Sequence, residues 1–130
     1  MNHPSHSRPG PVFPAQVLRD RMTEDAFQAW VIEQAKTFGW LHYHTRYSKY
    51  SPRGFPDLVL VRNGWLIFAE LKSERGHMST EQRIWQAQLA RVAQRARQFA
   101  GSLPEDQTAR PVREFLWRPS DMELIVEVLW

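Results

Sequence analysis

The chain has 130 residues, no cysteine and a formal net charge of +3 at pH 7. That length suits one domain with a real core. The missing cysteines exclude disulfides and thiolate zinc sites and fit a reducing cytoplasm. No apolar run approaches the roughly 20 residues that a membrane-spanning helix needs, and no apolar N-terminal stretch suggests a secretory signal. Hydrophobic residues make up 42%, with six Trp and seven Phe, so the bulk of the chain is expected to fold. A pI near 9.7 permits nucleic-acid binding without singling it out.

In chain order, residues 1–21 carry four of the nine prolines and read as a flexible tail, in which His3 and His6 are solvated rather than metal-binding. Residues 22–130 form the folded domain. Thr23 is a good N-cap, Glu24 and Asp25 suit the first turn of a helix, and Met22 with Phe27 forms a hydrophobic staple. Phe27, Trp30, Val31, Ala35 and Phe38 make one helical stripe that Gly39 ends. Stepping 100° per residue puts Glu24 at the edge of this stripe, facing the protein, and Glu33 in water.

Trp40 to Thr45 reads as a first strand, with His42 and His44 on one face; two strand histidines without a third ligand read as structural. The following loop mixes cations with aromatics. Arg46, Tyr47, Lys49, Tyr50 and Arg53, joined by Arg75 further on, are the candidate DNA contacts: cations neutralise phosphates and tyrosines stack on exposed bases. An ordinary basic loop is the alternative.

Val59 to Arg62 and Trp65 to Leu71 are apolar segments around Asn63-Gly64, the strongest short-range hairpin signal. If those two residues are the whole loop, Arg62 pairs with Trp65 and Asp57 falls opposite Glu70, where like charges repel. Glu70 and Lys72 share a face with Val59, Val61, Leu66 and Phe68. Two carboxylates beside an ammonium at the end of an apolar face suggest a hard divalent cation, Mg²⁺ or Mn²⁺. A strand-end Glu–Lys pair with an unrelated Asp is the bland alternative.

A long helix follows from Ser79 to about Phe99, with Trp85, Leu89, Val92, Ala96 and Phe99 on one face. Ser79 and Gln82 match a capping box, and Arg83, Arg91, Arg95 and Arg97 give a basic surface. Residues 101–110 read as an inserted polar connection and Val112 to Trp117 as a further strand. Ser120 with Glu123 reads as a second capping box opening a terminal helix. Helix, three strands, helix, strand, helix gives an α/β fold, a central mixed sheet flanked by helices.

Pro56-Asp57, then Glu70-Leu71-Lys72, resembles the PD-(D/E)xK nuclease signature. Gly54-Phe55-Pro56-Asp57-Leu58, Met78-Ser79-Thr80-Glu81-Gln82 and the ending Trp117-Arg118-Pro119-Ser120-Asp121 narrow it. Together, over about residues 22–130, they resemble the VRR-NUC family in its short stand-alone phage and bacterial form. The resemblance implies a restriction-endonuclease-like core and an Mg²⁺- or Mn²⁺-dependent endodeoxyribonuclease. It implies Asp57, Glu70 and the backbone carbonyl of Leu71 as metal ligands, Lys72 as the residue acting on the attacking water, Glu24 as a further metal-site carboxylate, and Gln82 near the site. Branched DNA is the implied substrate, four-way (Holliday) junctions first. Two symmetric cuts would then need a homodimer, in a bacterial or phage-infected cytoplasm, with no membrane or organic cofactor. A flap, nick or broad-specificity nuclease, an RNA-directed nuclease and a catalytically silent DNA-binding module remain open.

Overall fold

The Asn63-Gly64 turn organises the sheet. Both residues take positive φ, 48° and 82°, as a two-residue hairpin loop requires for its twist to match its strands. It joins β2 (Leu58–Arg62) to β3 (Trp65–Leu71), with Arg62 opposite Trp65 and Leu58 opposite Ala69. The same register carries Asp57 towards Glu70. β1 (Leu41–His44) runs antiparallel to β2, and β4 (Val112–Trp117) runs parallel to β3, in the order β1-β2-β3-β4. The parallel pair is bridged through α3 (Thr80–Ala100), since parallel strands need a long crossover. This computed structural model describes residues 10–45, 50–100 and 112–130. The fold is mixed α/β, a four-stranded mixed sheet with helices, as the sequence order implies.

One face of the sheet holds the main core. Leu58, Leu60, Ile67, Ala69, Leu71 and Trp117 pack there with Phe27, Val31 and Ala35 of α2 (Glu24–Thr37) and Met122, Ile125 and Leu129 of α4 (Met122–Leu129). Each such large side chain contributes about 1.5–3 kcal/mol when fully buried. Helix α3 lies over the other face, where Gln82 reaches Glu70 and Gln86 reaches Glu114. Thr23 caps α2 through its Oγ1, 3.1 Å from the Ala26 amide, and Gly39 ends it at φ 80°.

Three expectations change. The chain is already ordered within the segment read as tail: Gln16–Arg21 form α1, and Arg19 is buried. Its Nη1 and Nη2 donate to Glu123 at 2.8 and 2.6 Å, and Nε donates to the Pro14 carbonyl at 2.9 Å. That anchor joins positions 104 residues apart, so no local pattern signals it. Glu123 is thereby engaged, and the Ser120–Glu123 capping box gives way to another closure. Pro119–Asp121 form a short 3₁₀ turn in which Asp121 accepts from the Arg118 amide at 2.8 Å. On α3, Val92 and Phe99 are exposed at 50% and 69%, whereas Leu89 and Ala93 are buried. The inward row advances by four residues, from half-buried Trp85 to buried Leu89 and Ala93.

The chain reaches β2 through a tight approach to α3. Gly54 has φ 98°, and a β-carbon there would stand 2.4 Å from the Glu81 carbonyl carbon. Trp85 Nε1 donates to the Arg53 carbonyl at 3.1 Å, and Phe55 meets Phe68 and Trp85 edge-on. Gly54→Ala should therefore lower the unfolding free energy in urea by about 2 kcal/mol or more. Unchanged stability would mean that this loop does not seat on α3.

Candidate metal centre

Three elements converge at one end of the sheet. Glu24 comes from the first turn of α2, Asp57 from the residue before β2, and Glu70 from β3. Their nearest ligand oxygens all lie within 4.8 Å of one another. Burial deepens from Glu24 through Asp57 to Glu70, which is 1% exposed. Lys72, 9% exposed, is close enough for its charge to act on both Glu70 and Glu24. The four residues that the sequence nominates from the helix edge, the strand register and the strand periodicity are thus brought together.

Neighbouring groups hold the carboxylates in place. The Leu71 amide donates to Asp57 Oδ2 at 2.8 Å, which closes the hairpin one residue beyond its last paired rung. Gln82 Nε2 donates to Glu70 Oε1 at 2.9 Å. The same Gln82 completes the capping box: the Ser79 amide donates to its Oε1 at 2.8 Å, and its own amide donates to Ser79 Oγ at 3.1 Å. The helix-cap role and the site role, inseparable in the sequence, are held at once because the two ends of one amide serve different partners.

The electrostatics are unfavourable by construction. Burial is the main cause that pushes the Glu70 carboxyl up to about 9, reinforced by its hydrogen bond with Asp57 and by the Asp57 charge; Lys72 acts in the opposite direction. Burial likewise raises Glu24, again against the pull of Lys72. Carboxylates this close ionise together only if a cation compensates them. An all-oxygen donor set is what Mg²⁺ and Mn²⁺ prefer, so the residues present fit such an ion.

Other nominated residues divide. Tyr50 (93% exposed), Arg53 and Arg75 are on the surface. Arg46, Tyr47 and Lys49 lie outside the described residues. His42 and His44 stack at 6.3 Å and join no cluster of three ligand-bearing side chains among the described residues. Sequence reasoning missed two supports of the site, Trp85 on the Arg53 carbonyl and Arg118 on the turn after Lys72. The Arg118-Pro119-Ser120-Asp121 run was a signal for a tight turn, but not for what the guanidinium reaches. No described helix is long and apolar enough to cross a membrane. No family model matches this chain, and no curated protein matches it either.

A pH and metal dependence follows from Glu70. Its folded-state pKa, about 9, lies above the ordinary 4.5. Its contribution to stability is therefore fully present below about 4.5 and fades as pH rises through 9. A divalent ion favours the ionised form and releases the proton, so metal affinity should rise with pH. In EDTA, Tm should fall between pH 6 and 9, and Mn²⁺ at pH 8 should raise it by several degrees. Glu70→Gln should flatten the first trend and remove the second. An equal Mn²⁺ shift in Glu70→Gln would place the ion elsewhere.

Proposed function

We propose that the protein is a metal-dependent endodeoxyribonuclease built on a restriction-endonuclease-like core, of the VRR-NUC kind. The observation that carries this reading is the meeting of Glu24, Asp57 and Glu70 from three elements, with Lys72 beside them. One ammonium stands beside three carboxylates, which leaves the buried Glu70 dependent on a proton or a metal.

Phosphodiester hydrolysis needs an attacking water in line with the leaving oxygen and stabilisation of the charge that develops. A divalent ion, when bound, supplies Lewis-acid activation and a more acidic water. Asp57 and Glu70 would hold it, with the Leu71 carbonyl, and Glu24 would hold a second ion or its water shell. Lys72 orients or deprotonates the attacking water and offsets negative charge on the phosphoryl group. Gln82 fixes the Glu70 carboxylate so that it does not turn away, and the Leu71 amide does the same for Asp57. Arg46, Lys49, Arg53 and Arg75, with the tyrosines Tyr47 and Tyr50, are the proposed DNA contacts. Branched DNA, with the four-way junction first, is the proposed substrate and a homodimer the proposed form, because a single compact site makes one cut where a junction needs two.

The test sets purified protein against labelled four-way junction, flap, nicked, duplex and single-stranded DNA with Mg²⁺, Mn²⁺ or EDTA, beside Glu70→Ala and Lys72→Ala. Paired symmetric cuts confined to the junction, metal-dependent and reduced at least a hundredfold in either variant, are expected. Metal-dependent cutting of other forms would keep the chemistry and remove the junction role. Binding without cutting in either metal would replace the enzyme with a binding module.

A further inference from the structure

Six residues separate Lys72 from Ser79, and this segment connects the ammonium of the cluster to the helix start that carries Gln82. Its course is fixed from β4. The Lys72 amide donates to the Trp117 carbonyl at 3.1 Å, extending the parallel ladder to the site residue itself. The next residue of β4's exit, Arg118, turns its side chain onto the segment. Arg118 Nη1 lies 2.7, 3.2 and 2.8 Å from the carbonyl oxygens of Ser73, Glu74 and Gly76. Three carbonyls converge on one guanidinium nitrogen, so the turn is wrapped around it.

The clamp is itself braced. Arg118 and Asp121 exchange hydrogen bonds, Asp121 Oδ2 accepting from the Arg118 amide and the Asp121 amide donating to the Arg118 carbonyl, both at 2.8 Å. A second tie runs the other way: the Ser120 amide donates to Glu74 Oε2 at 3.0 Å. Pro119, between them, is buried and fixes its own φ. None of these groups belongs to the acidic cluster, yet together they set where the chain leaves Lys72 and where it re-enters α3.

We infer that Arg118 is a positioning residue: by gathering the carbonyls of Ser73, Glu74 and Gly76, it holds Lys72 and Gln82 around the acidic cluster and keeps Arg75 on an ordered turn. This rests on the nuclease reading for its kinetic consequence, and not for its structural one. A guanidinium presents several donors in a fixed plane. Lysine, with three rotatable donors, should replace it in part, and methionine not at all. A displacement near 1 Å in such a support is enough to slow chemistry substantially.

The experiment combines amide hydrogen exchange over residues 73–78 with single-turnover cleavage at saturating Mn²⁺, for Arg118→Met, Arg118→Lys, Lys72→Ala and Arg118→Met/Lys72→Ala. Arg118→Met should exchange faster in that segment, cut about tenfold more slowly per folded molecule, and recover partly as Arg118→Lys. In the Lys72→Ala background the Arg118 change should have no further effect, the signature of two residues acting as one unit. Cleavage at the parent rate, or additive losses in the double variant, would overturn the inference. Should Arg118→Met not fold, Glu74→Ala opens the same turn from its exposed side. It should slow cleavage about threefold with the same non-additivity, and a parent-like rate would again overturn the inference. A parent protein that cuts no DNA form would remove the nuclease reading alone. The exchange data would then decide the clamp, faster exchange supporting it and unchanged exchange overturning it.

Discussion

A carboxyl group buried at Glu70 is the constraint around which the rest of the molecule is arranged. Placing an ionised carboxylate out of water is unfavourable by several kcal/mol unless a partner compensates it. Here the neighbouring Asp57 has the same charge and makes the problem worse. Lys72 offers partial relief. The remaining imbalance can be met by a proton or by a divalent cation, and the two differ in what the site can then do. A proton leaves an inert hydrogen-bonded acid pair. A cation would be held by the ionised oxygens of Asp57 and Glu70 and would supply Lewis-acid chemistry there.

Each member of the cluster arrives by a separate local device. A two-residue turn sets the register that delivers Glu70. Asp57 follows a glycine that nearly touches the backbone of α3, and Glu24 follows a threonine cap that begins its helix at the sheet's end. The capping box at Ser79 and Gln82 then closes the cluster from the opposite face of the sheet. Every group lies on a strand or helix or one residue from its end, so little conformational freedom is left to be lost when a ligand binds, which is the condition for a preorganised site.

How far this was legible in the sequence depended on whether the deciding contact was local. The hairpin register followed from Asn63-Gly64 alone, and with it the Asp57–Glu70 opposition. Glu24 followed from helical phase, since residues 24, 27 and 31 lie on one side of α2. Phase failed on α3, where positions 92 and 93 are both apolar and only the partner surface chooses between them. The docking of α1 was invisible because Arg19 finds Glu123 across almost the whole chain. Glu123 in turn looked like a capping residue until that distant arginine claimed it. Arg118 belongs to the same class: a side chain whose acceptors are three backbone carbonyls leaves no residue-type pattern to recognise.

Two charged pairs in this fold show how a structural ion pair differs from a site. Arg19 and Glu123 are opposite in sign and bonded through two oxygens, and each favours the ionised form of the other: Arg19 is raised and Glu123 lowered. Such a pair lowers the energy of the folded state and asks for nothing further. Asp57 and Glu70 do the reverse. They are alike in sign, lie against each other and push Glu70 towards its neutral form, whereas the buried Arg19 has its opposite charge in contact. Natural chains keep an arrangement that opposes folding chiefly where something other than folding depends on it. The surrounding hydrogen bonds strengthen the point. Gln82 and the Leu71 amide do not neutralise the carboxylates but orient them, and orientation matters only if the oxygens are aimed at something. A divalent ion is a partner that would turn both features, the repulsion and the aim, into favourable terms.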